Sequence, residues 1–317
     1  MNAAALSVRP GHGQRAPLRA PGDYASLSRF SSPGRFSSLI NELPSDPAEV
    51  ARAVQGLLIY EHVAEAFYGC PLPPARREES HIRPMEQIIE ALLALDDRPL
   101  GLPRPPGKRL VGICRHFMLC SLAILRQHGV PARGRGGFGA YFNTGKFKDH
   151  WVCEYWKADE DRWALLDSQF DDVFRSRLGI RHDVHDVPRD QFLTASEAWR
   201  RCRAGELDPD LFGIEFTRQR GLWFIAGSLI RDLATLNGFE LLPWDVWGAQ
   251  PGPNAALSPD GLAFFDRIAL LTADPDANLD AMRRLFAQDA RVRPPETVFN
   301  ILRQREERVL EGGIALA

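Results

Sequence analysis

The chain has 317 residues, of which 44% are hydrophobic and 25% charged, with a formal net charge of -2. That length can bury a substantial core, as one large domain or two ordinary ones, and the near-neutral balance excludes the broad basic field that nucleic acids and anionic membranes call for. Five cysteines (Cys70, Cys114, Cys120, Cys153 and Cys202), with no CxxC pair among them, suggest neither a complete disulfide framework nor a zinc ribbon, and point to a reducing, cytoplasmic setting.

Residues 1–40 are rich in Pro, Gly, Ser and Arg and carry no acidic residue before Asp23, a composition that predicts a disordered tail, with a transit peptide as the alternative. No apolar block suits a secretion signal, and no run of eighteen apolar residues predicts a membrane span. Residues 41–107 read as a helical N-terminal part. One helix is expected from Asp46 to Phe67, with Asp46 as cap and Pro47 as first helical residue, and another from Pro84 to Leu95, ended by the proline-rich "DDRPLGLPRPPGK".

Residues 108–175 carry the chemistry. Gly112 to His128 is apolar nearly all round, the pattern of a buried helix, and is closed by Gly129 and Pro131. "RGRGGFGAYF" reads as a glycine-weakened strand, and "HWVCEYW" (150–156) with "RWALLD" (162–167) as a hairpin. From 176 to 317 a helical C-terminal region is expected, with helices at Ala195–Ala204, Leu222–Leu236, Pro259–Ala273, Asn278–Gln288 and Pro295–Arg308. Between the second and third, "LLPWDVWGAQPGPNAALSP" reads as a surface loop or boundary, with Trp244 and Trp247 as loop anchors or, alternatively, a lid over a pocket.

Cys114 opens the buried helix, where unpaired N–H groups and the helix dipole favour a thiolate and could also hold an oxyanion. His150 leads the first hairpin strand as the candidate base. If the loop is Lys157 to Glu160, Trp156 pairs with Asp161 and His150 lies directly opposite Asp167, about 5 Å away between Cβ atoms, close enough for the carboxylate to orient the imidazole. Asp149 is an alternative orienter, although strand neighbours face opposite ways. Cys120 and Cys153 read as packing residues, and His116 as a capping or solvated side chain. Arg115, Arg133 and Arg135 could fork a substrate carboxylate or pair with local acids. "RHDVHD" (181–186) could bind a metal or stay solvated.

In that order, "GICRHFMLCSLAILRQHGVPAR", "DHWVCEYW" and "RWALLDSQ" resemble the core of the transglutaminase-like superfamily over about residues 108 to 170. The resemblance implies an α+β, papain/transglutaminase-like core, in which a cysteine-bearing helix packs on a small antiparallel sheet with helical additions at both ends. It implies Cys114 as nucleophile, His150 as base and Asp167 as orienter. An acyl group from an amide-containing peptide, protein or small molecule would pass through a thioester to water or to an amine. No cofactor and no metal is implied: some animal relatives use calcium, but no EF-hand-like acidic loop occurs here. Two departures stand out. Family members often draw a second oxyanion donor from a tryptophan upstream of the cysteine, whereas the first tryptophan here is Trp151, and family histidines are commonly followed by alanine, not tryptophan. The alternatives are a non-catalytic binding or scaffold protein on the same fold, and an arylamine N-acetyltransferase-like enzyme. The latter would carry an RGG before its cysteine, but Arg135-Gly136-Gly137 follows Cys114.

Overall fold

The computed structural model describes residues 21–142, 145–214 and 217–310. In chain order, α1 (Ser37–Asn41) and α2 (Pro47–Leu57) precede β1 (Leu58–Tyr60), α3 (Ala64–Tyr68) and α4 (Met85–Leu95). Strand β2 (Leu110–Gly112) runs into α5 (Cys114–Gln127), followed by β3 (Ala132–Gly139), β4 (Phe147–Lys157) and β5 (Arg162–Leu166). Next come α6 (Asp172–Leu178), β6 (Phe192–Thr194), α7 (Ala195–Arg203), β7 (Phe212–Ile214), β8 (Gln219–Arg220) and α8 (Leu222–Leu236). The chain then forms β9 (Asp245–Val246), α9 (Pro259–Ala273), α10 (Leu279–Gln288), β10 (Thr297–Asn300) and β11 (Arg305–Arg308). The fold class is α+β. No helix among the described residues is long and apolar enough to cross a membrane.

The largest sheet has the order β6-β3-β4-β7-β8, with β5 also paired to β4. All its pairs are antiparallel except β4 with β7. Helix α5 packs across β4 and β3, and α8 lies along β3. One large core joins α5 and α8 to Phe138, Trp151 and Cys153 of the sheet. A second, aromatic cluster (Tyr141, Val152, Phe170, Phe174, Phe192) lies on the other face of β4.

The caps act as the sequence suggests. Asp46 accepts the Ala48 and Glu49 N–H groups with Pro47 as first helical residue, and Gly129 ends α5 at φ 76°. The helix expected through Phe67 stops at Leu57. Leu58, Ile59 and Tyr60 instead pair in parallel with β2, Tyr60 opposite Gly112, because two apolar strands side by side bury these residues more completely than one face of a helix would.

Three further expectations need correction. Residues 1–20 lie outside the described residues, but 21–40, expected as part of the disordered tail, bury Tyr24, Phe30 and Ile40 in the core. The C-terminal region is not wholly helical: β6, β7 and β8 join the main sheet, so that sheet extends past the 108–175 segment. Pro295–Arg308, expected as a helix, is the hairpin β10–β11, with Val298 opposite Glu307. Strand-favouring Thr297, Val298 and Phe299 start it. The buried Glu307 then receives the Arg83 guanidinium and the Asn300 side-chain amide, which no helix in that segment would place together.

The hairpin register also differs. Lys157 pairs with Arg162 and Trp156 with Trp163, so the four-residue loop is Ala158 to Asp161. The pairing is displaced by two residues from the expected one. Because side chains alternate with period two, an even displacement keeps His150 and Asp167 on the same face, now as diagonal neighbours.

Candidate active site

Cys114 is the first residue of α5. His116, three residues past the cap residue Ile113, accepts the Ile113 N–H at Nδ1 (3.3 Å). Its Nε2 lies 2.9 Å from the Ile82 carbonyl, which can only accept, so Nε2 carries the proton. Burial holds this imidazole neutral, its pKa well below the ordinary histidine range. His116 is thus a cap, buried and not solvated.

The position of the sulfur follows from an interruption of the sheet. On one side β4 is paired to β3 along its length. On the other, β7 reaches only Phe147 and Lys148 while β5 reaches only Cys153 to Lys157. Residues 149–152 therefore face a gap. The Cys114 sulfur lies at this gap, where the Trp151 and Arg115 N–H groups favour its thiolate.

His150, on the same stretch of β4, turns its ring into the aromatic cluster, edge-on to Tyr141 (5.9 Å), Phe142 (5.2 Å) and Phe170 (5.7 Å between centroids). Its Nε2 lies 2.7 Å from Asp167 Oδ2. The Tyr141 hydroxyl donates to the same oxygen at 2.7 Å, and the Gln169 N–H donates to Oδ1 at 3.2 Å. His150 and Asp167 are each only 2% exposed. With Nε2 committed to Asp167, Nδ1 is the ring nitrogen left to exchange a proton.

The electrostatics differ from the sequence expectation. Two N–H groups favour a Cys114 thiolate, but burial outweighs them, and the Asp149 and Asp167 carboxylates act in the same direction as burial, so the thiol is raised well above its ordinary value. Cys114 is a neutral thiol at rest. Asp149 faces away from His150. Its carboxyl is itself raised by burial, with Arg231 the chief opposing charge.

The three candidate substrate arginines are occupied internally. Arg115 donates through Nε and Nη2 to the Glu240 carbonyl, and burial lowers it to about 10. Arg133 pairs with Glu154 (2.5 Å) and Asp276 (2.8 Å) and stacks on Trp163. Arg135 forks Asp232 through Nε and Nη2 and also donates to the Thr272 carbonyl. A buried guanidinium needs compensating acceptors, and these acceptors are the protein's own. Gly137 of the RGG segment pairs with His150, and a Cβ there would strike the Leu193 carbonyl of β6, so this glycine permits close strand approach.

Cys120 and Cys153 are fully buried, and burial pushes both thiols up to about 12. Within "RHDVHD", His182 packs against Tyr141, His185 pairs with Asp183, and Asp186 pairs with Arg162. Among the described residues no group of three or more His, Cys, Asp or Glu side chains is set to hold a metal ion. Trp247 donates its indole N–H to the Val292 carbonyl, and Trp244 packs on His81. Tyr141 and Gln169, both bonded to Asp167, were not singled out in the sequence; neither carries a local motif that marks it.

No protein-family model matches the chain, and no curated protein matches it. Among solved structures it is similar to the "Putative Cysteine Protease from Cytophaga hutchinsonii", at 16% identity and a TM-score of 0.32, over 54% of this chain and 44% of that one. The chain thus spans less than half the length of that protein.

Proposed function

We propose that the chain carries a papain/transglutaminase-like core, with its reacting groups in residues 108–175, and catalyses acyl transfer from an amide through a Cys114 thioester. The observation that carries this reading is the buried 2.7 Å contact of His150 Nε2 with Asp167, which leaves Nδ1 available on the strand whose next residue, Trp151, acts through its N–H on the Cys114 sulfur. In the first step Sγ bonds to the carbonyl carbon, its proton passes to His150 Nδ1, and the carbonyl π pair moves to oxygen. Collapse re-forms the carbonyl, and the C–N bond breaks as the amine takes the proton from His150. Water then attacks the thioester, giving acid and free thiol, or an amine attacks, giving a new amide. Because the thiol is neutral at rest, proton transfer to His150 must accompany attack. A reducing compartment such as the cytoplasm would keep Cys114 available.

The probe is p-nitrophenyl acetate, with release of nitrophenol followed over time and the acetyl adduct located by mass spectrometry. The adduct is expected on Cys114 and is expected to form far more slowly in His150→Ala. If no cysteine carries an acetyl group, the proposal is wrong. The raised thiol favours a second reading, an amide-binding protein that does not turn its ligand over, and under that reading the probe acylates no thiol.

A further inference from the structure

We propose that the Tyr60 hydroxyl is the second oxyanion donor of this site, working with the N–H groups at the start of α5; the inference rests on the acyl-transfer reading above. The strand pairing brings the two residues together. Tyr60 lies opposite Gly112 in the parallel β1–β2 pair, and the chain enters α5 two residues later at Cys114. The Tyr60 side chain packs against both clusters, the main core that contains Cys114 and the aromatic cluster of Tyr141 and Phe170 that surrounds His150. Strand β1 also packs against α5, the helix that Cys114 opens. Its ring is held edge-on by Phe174 (5.9 Å) and His62 (5.4 Å).

The hydroxyl is also chemically uncommitted. Among the described residues it has no hydrogen-bond partner, and its strongest titratable neighbour is Cys114, ahead of Asp149 and Glu61. Burial raises the phenol far above its ordinary range, so it stays protonated and can only gain by meeting an acceptor. The other nearby donors are less suitable. The Tyr141 hydroxyl is spent on Asp167. The Trp151 indole N–H is unpartnered, and its ring is packed flat against Gly136 of β3. When Sγ bonds to the carbonyl carbon and the π pair moves to oxygen, the new anion forms next to Cys114. There the Tyr60 O–H would donate to it while keeping its own proton, and release it as the carbonyl re-forms.

The test compares acylation with alkylation in Tyr60→Phe, a change that removes one oxygen and no existing hydrogen bond. With p-nitrophenyl acetate the rate of the nitrophenol burst is expected to fall about 100-fold or more, the usual effect of losing one oxyanion donor. Alkylation of Cys114 by iodoacetamide creates no oxyanion and is expected to keep its wild-type rate. An undiminished burst in Tyr60→Phe overturns the assignment while leaving the acyl-transfer reading intact. An equal fall in burst and alkylation overturns it too, since that marks a packing role. A wild-type protein that is alkylated at Cys114 but never acylated removes the acyl-transfer reading itself, and this inference with it.

Discussion

Gly136 of β3 and Trp151 of β4 are directly opposite each other, and each turns its N–H outward from the pair. On the β3 side β6 reaches only Gly137 to Gly139, and the Gly136 N–H is taken by Asp232 of α8 at 2.8 Å. On the β4 side the Trp151 N–H acts on Cys114 of α5 and favours its thiolate. In both places a helix brings a polar side chain to an N–H that the neighbouring strand leaves unpaired. What differs is the charge around the acceptor. Asp232 is forked by Arg135, so its charge is neutralised and the arrangement is closed. Cys114 has two carboxylates acting on it, no arginine forked to it, and an imidazole on the same stretch of strand. A closed arrangement is structural, whereas an acceptor that still holds an exchangeable proton can react.

Substitutions at the two acceptors should therefore have opposite signatures. Cys114→Ala is expected to remove acyl transfer, on the order of 10⁶-fold as for loss of other nucleophiles that act with a base, while costing only about 1 kcal/mol of stability, the size of a one-atom truncation in the core. Acylation kinetics and a denaturant titration check the two halves. Next in size is Asp167→Asn, which keeps the shape but disturbs the tautomer that His150 adopts. Acylation is expected to fall about 10⁴-fold with the fold intact, and a loss below tenfold would show that Asp167 does not orient the ring. Asp232→Ala should do the reverse. It leaves the Gly136 N–H and part of the Arg135 guanidinium without partners, at about 3 kcal/mol, the lower end for a broken buried pair because Glu154 and Thr272 still hold Arg135. The folded fraction should still acylate Cys114 at the wild-type rate.

The two gaps also show what could be read from the sequence. The cysteine-bearing helix, its glycine stop and the alternating hairpin strands were legible because period and caps are local signals, and α8 and α9 begin and end where the pattern places them. The contact of His150 with Asp167 survives a register error because the error is even and leaves both residues on one face. The roles of the arginines were not legible. Arg133 and Arg135 meet Asp276 and Asp232 across more than 90 residues of chain, and nothing local distinguishes a paired guanidinium from a free one. Tyr60 was hidden for a related reason. Apolar spacing continues from α2 through β1, so only the pairing with β2 shows that the helix has ended and that Tyr60 lies opposite Gly112, two residues before Cys114.

The smallest expected effect bears on the charges themselves. Asp149 is the largest charge acting against a Cys114 thiolate. Asp149→Asn should lower the thiol, so more thiolate exists at a given pH and alkylation by iodoacetamide at pH 8 should rise about threefold to tenfold. In the wild type the rising limb of alkylation against pH should lie above pH 9, the ordinary thiol value, and in Asp149→Asn it should move down. Stability follows the same sign. A thiol raised in the folded state contributes stability that is present below its unfolded value and lost as pH rises beyond it, so the wild type should weaken in alkali and Asp149→Asn should weaken less. Asp232→Asn, on the neutralised side of the sheet, should leave the limb where it is. If Asp149→Asn also left the limb unmoved, the contrast in charge between the two sides of the sheet would fail as support for the proposed reactivity of Cys114.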